Sequence, residues 1–449
     1  MDEREKLLNI AGYPVLTKNI CGGIAVLAFI HESGLFRTLV LDQSKSVHNE
    51  LIKKWGFHAP NRIPSFMPPF RSAALTITSR CNMDCPYCFV YPIPRKLDIS
   101  ESFAKTAVKA LAEHMTKGRR QIYLWGGEPT QNPKGLFSAL NAVSHDECAV
   151  TLTTNGCAED EMLIRLARYD FLEFQISFDG VAQDRQKRIA GGSYNRVMHS
   201  VHLLNAAGKR PILRITVTTE NIGNLRDMFK RIIEMNLTDR ICIEPVHAYA
   251  GRSRLQQPSQ PDPNHYVEEL FHCIRYAEQH GRAVYSQPLR PLTSSKAYDW
   301  GFINILPDGN AVSTVSIIDS SHPDAGVFQC GRIVDGKLEI SENAARQSSA
   351  FIGAVARKCV MCPVFSICKG NEQRDYFASG TPAAEYRCEV FRAIMKTWMS
   401  CMMEKALPMM LRAGGESSFT LKRKAGEQAV ILNVSLQEEG AYAKIKNGG

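Results

Sequence analysis

The stretch Ala73–Phe89, AALTITSRCNMDCPYCF, joins a strand-like run to a cluster of cysteines. Ala73–Ser79 is rich in apolar and β-branched residues, which predicts a buried β-strand. Three cysteines follow at spacings of four and three residues: Cys81, Cys85 and Cys88. Because no obvious fourth ligand lies nearby, the spacing raises the question of which metal group needs only three thiolates.

Composition narrows the class of protein. The chain has 449 residues, of which 44% are hydrophobic and 22% are charged, so it is long enough for two or three globular units. The longest apolar run, Ile20–Ile30, is about half of what a membrane-spanning helix needs, and the N-terminus is charged rather than signal-like. We therefore expect a cytoplasmic protein with no membrane partner. Fourteen cysteines in a reducing compartment favour metal binding or catalysis over disulfides.

The net charge of +9 comes from lysines and arginines that are scattered along the chain rather than gathered into runs. A scattered excess is typical of a solvated surface. We therefore do not expect nucleic acid as a partner.

Strand-like and helix-like segments alternate after Ala73–Ser79. The further predicted strands are Gln121–Leu124, Ala149–Thr154, Leu172–Phe178, Ile212–Thr219 and Arg240–Val246. The predicted helices are Glu101–Met115, Pro133–Val143, Asp160–Arg168, Ser193–Ala207 and Leu225–Met235. The strands read as apolar on both faces, which favours a parallel α/β fold. The sequence predicts a partial parallel (β/α)6 barrel over residues 72–285.

Polar or glycine-rich motifs follow the first four predicted strands. CNMDCPYC comes after the first, WGGEPT (Trp125–Thr130) after the second, TNG (Thr154–Gly156) after the third and SFDG (Ser177–Gly180) at the end of the fourth. In parallel barrels the functional groups lie at the carboxyl ends of the strands. The four motifs therefore predict one site on one rim.

These motifs resemble those of the radical S-adenosylmethionine (SAM) enzymes. The three cysteines reproduce the CxxxCxxC signature of that family, and Gly126–Pro129 resembles its GGEP motif. The resemblance implies a [4Fe–4S] cluster with three thiolate ligands, whose open iron binds SAM. It also implies that reductive cleavage of SAM produces a 5′-deoxyadenosyl radical. A closed zinc site, which takes four ligands, or merely buried thiols are the alternatives.

The resemblance also implies contacts to SAM. Gly126, Gly127 and Glu128 would approach the amino group of SAM through their backbone, because glycine leaves room for close approach. Tyr87 occupies the family position near the adenine.

Two further residues are assigned in the same way. Ser177 would contact the ribose or the carboxylate of SAM, and Arg188 would pair with that carboxylate. A simple turn at Ser177 and a surface cation at Arg188 are the alternatives. Asn155, Asp179 and Arg214 stay open between a place in the site and a structural role.

A second group of cysteines follows the barrel. Phe302–Ile318 predicts a hairpin that turns at Asp308 and Gly309. The later cysteines resemble the SPASM extension of radical SAM enzymes: Cys359, Cys362, Cys368 and Cys388. The resemblance implies one auxiliary [4Fe–4S] cluster held by these four residues, while a zinc ribbon is the alternative.

The chain departs from the SPASM pattern at two places. Glu372 stands where the family has another cysteine, and Ser313 and Thr314 stand where a cysteine follows the hairpin. A second auxiliary cluster would therefore need Cys330, Glu372 or Cys401 as replacement ligands.

The predicted division has four parts. Residues 1–71 form a small α+β region, which either recognises peptide or only packs on the barrel. Residues 72–285 form the barrel, 286–404 the SPASM-like iron–sulfur domain and 405–449 an accessory segment. The methionine-rich run Phe391–Met410 is either an adaptable surface or a core helix.

The function predicted from the resemblance is that of a maturase. It would abstract hydrogen from a peptide, expected to be ribosomally synthesised, and install a crosslink, an epimer or an oxidised residue. A flavodoxin or ferredoxin would supply electrons, and no catalytic acid or base is predicted. The alternatives are formylglycine formation on a protein, as in anaerobic sulfatase maturation, and a non-catalytic iron–sulfur or zinc module.

Overall fold

Two sheets and the helices around them make up the described part of the chain. The computed structural model describes residues 5–10, 13–21, 23–30, 35–55, 72–90, 96–115, 120–144, 148–187, 189, 192–248, 251–256, 258–289, 302–341, 362–364, 382–413, 417–422 and 435–439. Within these ranges one sheet has eleven strands and the other has six.

The elements are numbered in chain order. The strands are β1 (Glu5–Ile10), β2 (Tyr13–Ile20), β3 (Gly23–Ile30), β4 (Leu35–Leu41), β5 (Ser72–Thr78), β6 (Arg120–Gly126), β7 (Cys148–Thr154), β8 (Leu172–Ser177), β9 (Ile212–Val217), β10 (Arg240–Pro245), β11 (Ala283–Tyr285), β12 (Phe302–Ile305), β13 (Asn310–Val312), β14 (Gln329–Val334), β15 (Lys337–Ile340), β16 (Ser417–Lys422) and β17 (Ser435–Glu439). The helices are α1 (Val47–Trp55), α2 (Glu101–His114), α3 (Pro133–Asn141), α4 (Asp160–Ala167), α5 (Gln183–Gln186), α6 (Tyr194–Ala206), α7 (Leu225–Glu234), α8 (Gly251–Gln256), α9 (Pro263–Gln279), α10 (Ala325–Phe328) and α11 (Pro382–Ala413).

The larger sheet contains the predicted barrel. Strands β5 to β11 lie side by side in chain order, and every neighbouring pair is parallel. Helices separate each strand from the next, as parallel connections require. The predicted partial (β/α)6 barrel is confirmed, and β11 adds a short seventh strand that the sequence did not indicate.

The inner and outer faces of the barrel strands differ in polarity. On β8 and β9, Phe174, Ile176 and Ile215 are buried and pack against the helices, whereas Gln175 and Thr216 alternate with them and are half-buried. The prediction of strands that are apolar on both faces is therefore wrong here. A partial barrel leaves its inner face open, whereas a closed eight-stranded barrel fills its interior with side chains.

The predicted hairpin is confirmed and extends the barrel sheet. Strand β12 pairs in parallel with β5 and antiparallel with β13, and Gly309 takes the turn with φ +92°. Buried Asn304 ties this hairpin to the barrel: its Oδ1 accepts hydrogen bonds from Thr76 Oγ1 at 3.0 Å and Trp125 Nε1 at 3.1 Å. The hairpin is therefore held directly against the first two barrel strands.

The smaller sheet is antiparallel and joins both ends of the chain. Its order is β1-β2-β3-β4-β16-β17, so the C-terminal strands extend the N-terminal sheet. Trp398 of α11 packs against Phe29 at 5.0 Å and Phe36 at 5.5 Å between ring centres. Five methionines of α11 are buried, which makes this run a core helix: Met395, Met399, Met402, Met403 and Met410.

No helix in the described ranges combines the length and the apolarity needed to cross a bilayer.

Candidate active site

The cysteine loop runs from the end of β5 and is held by α8. The backbone amide of Ser253 donates to the carbonyl oxygen of Cys88 at 2.9 Å, and that of Cys88 donates to Cys85 at 3.2 Å. Gly251 has φ +57°, and a Cβ there would lie 2.2 Å from the carbonyl oxygen of Phe89. The helix can approach the loop this closely only because position 251 is glycine.

The three thiols of the loop are poor anions without a metal. Partial burial raises the pKa of Cys85 and Cys88. Charge on Cys88 and Cys81 raises the pKa of Cys85 further, so the three thiols influence one another. Thiols ligate metal as thiolates, so each thiol must lose its proton when the metal binds. Attraction between the thiolates and the positively charged irons of a cluster would favour this loss.

The arrangement of the three thiols bears on the kind of metal group that they could hold. Among the described residues, no group of three or more His, Cys, Asp or Glu side chains is arranged around a single metal ion. A mononuclear zinc site needs such convergence. The ligands of an iron–sulfur cube do not, because each thiolate binds a different iron.

The glycines after β6 pack against the cysteine loop. A Cβ at Gly126 would lie 2.2 Å from the carbonyl oxygen of Thr78, and one at Gly127 would lie 2.1 Å from that of Arg80. The amide of Gly127 donates to Thr78 at 2.8 Å, and the amide of Glu128 donates to Arg80 at 2.7 Å. The two loops therefore form one backbone surface, and the predicted contact of this surface with the amino group of SAM stays a prediction.

The buried carboxylate of Glu128 joins the WGGEPT motif to the TNG motif, and Asn155 extends this link to the cysteine loop. Oε1 of Glu128 accepts hydrogen bonds from Thr130 Oγ1 and Thr154 Oγ1, both at 2.8 Å, and its Oε2 accepts from the amide of Asn155 at 2.7 Å. Asn155 Nδ2 in turn donates to Asn82 Oδ1 in the cysteine loop at 2.7 Å. Burial raises the pKa of Glu128, while the hydrogen bonds that it accepts oppose this shift.

A buried ion pair lies beneath Tyr87. The carboxylate of Asp179, fully buried in the SFDG loop, accepts a hydrogen bond from the Tyr87 hydroxyl and pairs with the Lys187 ammonium. Its other oxygen accepts from the amide of Thr216 at 3.0 Å. Lys187 Nζ lies 5.3 Å from the centre of the Tyr87 ring.

Lys187 was missed by sequence analysis, which chose the neighbouring Arg188. Arg188 lies outside the described residues, so its predicted role has no structural test. The available signal was the run DRQKR, which follows the SFDG loop after three intervening residues and in which either Lys187 or Arg188 could face the site.

A row of inner-face side chains lies below the rim. Ser177 of β8 is opposite Arg214 of β9, which is opposite Cys242 of β10. Arg214 Nε is buried and has no hydrogen-bond partner within the described ranges. Cys242 and Glu244 were not predicted, although alternation in RICIEP places both on one face. Arg214 therefore presents to the inner face a guanidinium whose Nε has no hydrogen-bond partner among the described residues.

The opposite wall of the interior is apolar. Phe89 stacks on Trp125 with 5.7 Å between ring centres. Ile318 and Val315, from the segment after the hairpin, pack in the same cluster as Trp125. The interior thus has an aromatic wall at β5 and β6 and a polar wall at β8 to β10.

The auxiliary ligand set is only partly described. Cys359, Cys368 and Glu372 lie outside the described residues. Cys362 is half-buried, and its carbonyl oxygen accepts from Asn9 Nδ2 of β1 at 2.8 Å. Cys388 and Cys401 lie on α11 about 20 Å apart, from the rise of a helix, so they cannot ligate one cluster. Cys330 is buried on β14, where its thiol donates to a backbone carbonyl of β13 at 3.5 Å.

Comparison with known families agrees with this geometry. The model of the radical SAM superfamily matches residues 75–232, which contain the cysteine loop and the three other rim motifs. This chain contains a radical SAM domain. Such a domain implies SAM and a [4Fe–4S] cluster as cofactors, so the family resemblance drawn from the motifs is confirmed.

The radical SAM domain also has relatives in sequence and in structure. PqqA peptide cyclase of Bradyrhizobium diazoefficiens is 29% identical over 284 residues, which cover 57% of this chain and 72% of the relative. The structure of native anSMEcpe with bound AdoMet and Kp18Cys peptide has a TM-score of 0.56 at 17% identity, covering 76% of this chain and 99% of that one. Streptococcus suis SuiB bound to precursor peptide SuiA has a TM-score of 0.54 at 13% identity, covering 84% and 98%. At these identities the structures show a shared fold.

Proposed function

We propose that this radical SAM protein is a maturase that abstracts hydrogen from a peptide and thereby installs a crosslink, an epimer or an oxidised residue. The observation that carries the proposal is the placement of the cysteine loop on the rim of an open barrel interior with one aromatic and one polar wall. The similarity to a peptide cyclase and to enzymes solved with peptides supports a peptide substrate. We infer that this substrate is ribosomally synthesised.

The residues of the rim fit the cofactors. The donor set of three thiols suits a cluster with one open iron, and the two loops approach so closely that a Cβ at Gly126 or Gly127 would meet a backbone carbonyl oxygen at or just after the end of β5. Cys81, Cys85 and Cys88 would hold the cluster, while Gly126–Glu128, Tyr87 and Ser177 would contact SAM. When bound, the cluster and SAM together supply a 5′-deoxyadenosyl radical. An electron donor of the flavodoxin or ferredoxin type would bind at the protein surface.

The interior would orient the peptide. Across the strands, Gln121 donates to Thr151 Oγ1 at 3.0 Å, Thr151 donates to Glu173 at 3.4 Å, and Glu173 pairs with Arg240 at 2.6 Å. This polar floor can bind peptide amides and carbonyls, whereas Trp125 and its apolar neighbours exclude water from the reacting side chain.

We further propose one auxiliary [4Fe–4S] cluster, held by Cys359, Cys362, Cys368 and Cys388. Four thiolates leave no open iron, so its role would be electron transfer or structural support. The pairing of β12 with β5 supports a SPASM-like domain that begins after residue 285 and packs against the barrel.

The test is anaerobic reconstitution followed by iron and sulfide analysis, with deoxyadenosine and peptide mass measured after addition of SAM, dithionite and candidate precursor peptides. We expect about eight irons per chain, falling to about four in a Cys81/Cys85/Cys88→Ala variant that releases no deoxyadenosine. Cys21→Ala, at an exposed cysteine between β2 and β3, is the matched control and should behave as the parent does. Zinc in place of iron, with no deoxyadenosine, would overturn the proposal.

A further inference from the structure

The ion pair of Asp179 and Lys187 is unusual in its burial. Asp179 is 0% exposed and Lys187 is 4% exposed, although charged side chains are almost never fully buried unless they are paired. The pair is stable because each charge offsets the other, while the Tyr87 hydroxyl and the Thr216 amide bind the carboxylate. Removing either charge would leave the other buried and unpaired.

The pair lies directly against the loop that would hold the cluster. Tyr87, which donates to Asp179, stands between the second and third cysteines, and Lys187 Nζ faces its ring at 5.3 Å. Both charges are therefore held, through Tyr87, against the segment between the second and third cysteines, where they can act on the electrostatic potential of the loop.

We propose that Asp179 and Lys187 form a tuning and positioning pair for the radical SAM centre, in which Asp179 holds Tyr87 and the pairing of the two charges sets the electrostatic potential at the cysteine loop. The inference rests on the proposed function, since it needs a cluster at Cys81, Cys85 and Cys88. Both residues are positioning residues that act through the loop.

The proposal predicts opposite effects for the two charges. Reduction adds one electron, so a nearby positive charge favours the reduced cluster and a negative charge disfavours it. Lys187→Met leaves Asp179 unpaired and should lower the reduction potential. Asp179→Asn keeps an oxygen that can accept from Tyr87 but leaves Lys187 unpaired, so it should raise the potential. The double variant removes both charges and should return near the parent.

The experiment is a redox titration followed by electron paramagnetic resonance on the reconstituted full chain, with and without SAM. The spectrum of a Cys81/Cys85/Cys88→Ala chain contains only the signal of the auxiliary cluster. This signal is subtracted from the spectrum of each full protein. At a fixed potential we expect each single variant to change the reduced-to-oxidised ratio about tenfold, or about 59 mV for one electron, in opposite directions. Lys187→Arg, which keeps the charge, should stay within about threefold of the parent.

The outcomes separate this inference from the proposed function. A SAM-sensitive signal in the parent supports the pair if the reduction potential is highest in Asp179→Asn and lowest in Lys187→Met. The parent and the double variant should lie between them. The same signal with equal potentials in all variants of parental iron content overturns the pair and leaves the function intact. Absence of a SAM-sensitive signal in the parent overturns both. If both single variants lose iron but the double variant does not, the pairing of the two charges is needed to position the cysteine loop. Equal loss of iron in all three variants would overturn the proposed pair.

Discussion

Glu128 accepts a hydrogen bond from the backbone amide of Asn155 at 2.7 Å, and this bond joins the loop after β6 to the loop after β7. The carboxylate that makes it is almost completely buried and accepts further bonds from Thr130 and Thr154. The two acceptor oxygens of Glu128 therefore help to fix how the loops of the rim fit together.

Replacement of this carboxylate tests that role. In Glu128→Gln, one oxygen becomes an amide nitrogen, which cannot accept from a backbone amide or a hydroxyl. We expect a loss of about 2 kcal/mol in unfolding free energy, the scale of a buried group left unsatisfied. Urea unfolding of the metal-free protein, followed by circular dichroism, measures it. Glu113→Gln, at an exposed position of α2, should change stability by less than about 0.5 kcal/mol.

The close contact at Gly127 predicts a selective effect on the site. In Gly127→Ala the new methyl group would lie 2.1 Å from the carbonyl oxygen of Arg80, so the two loops must separate. We expect SAM to bind at least about tenfold more weakly, which is about 1.4 kcal/mol. Equilibrium binding of SAM to the reconstituted protein checks this. Gly223→Ala is the matched control, because nothing lies within 4 Å of its Cβ, and equal affinities in the two variants would contradict the proposed packing.

Arg214 should matter for binding more than for folding. Its guanidinium Nε has no hydrogen-bond partner in the described part of the chain, so Arg214→Met removes no hydrogen bond of that nitrogen there. We expect the melting temperature to stay within about 3 °C of the parent, which corresponds to roughly 1 kcal/mol for a domain of this size. Turnover of peptide or binding of SAM should fall, because a carboxylate of the peptide or of SAM would lose the guanidinium with which it pairs. A large drop in melting temperature with unchanged turnover would show a structural role instead.

Asp239 predicts a pH dependence of stability. Hydrogen bonding to Arg210, and then the charges of Arg210, Arg282 and Arg240, lower the pKa of this carboxyl. A lowered pKa in the folded state gives stability that is present above the unfolded pKa, near 3.8, and lost as pH falls through the folded value.

The matching variant is Asp239→Asn. Since the side chain is 44% exposed, solvent screening limits the expected loss to about 1 kcal/mol at pH 7. The difference from the parent should shrink as the pH falls below about 3.8 toward the folded pKa. Unfolding midpoints from pH 7 down to pH 3 measure it, with exposed Asp227→Asn as the control. A loss that is equal at both ends of the range would mean that charge is not the cause.

Local patterns predicted much of the fold. The runs of apolar and β-branched residues located the six barrel strands to within a few residues, because a strand buried on its helix-facing side shows this in its own sequence. The turn at Asp308 and Gly309 was also predicted locally, since a positive φ there favours glycine. The polar inner face was not predicted. It follows from the open interior of a partial barrel, and whether a barrel closes depends on the number of strands in the whole sheet.

The amino-acid sequence by itself determined the cysteine spacing, the order of strands and helices, and the place of the four motifs at the carboxyl ends of the strands. Only the tertiary structure decided that Lys187 reaches Asp179, that β16 joins β4 in the smaller sheet, and that Glu128 binds Asn155. The physical reason is the separation along the chain of the residues that make contact. Spacing and periodicity express contacts between residues close in the chain, whereas a buried ion pair or a sheet edge depends on which distant surfaces meet and exclude water.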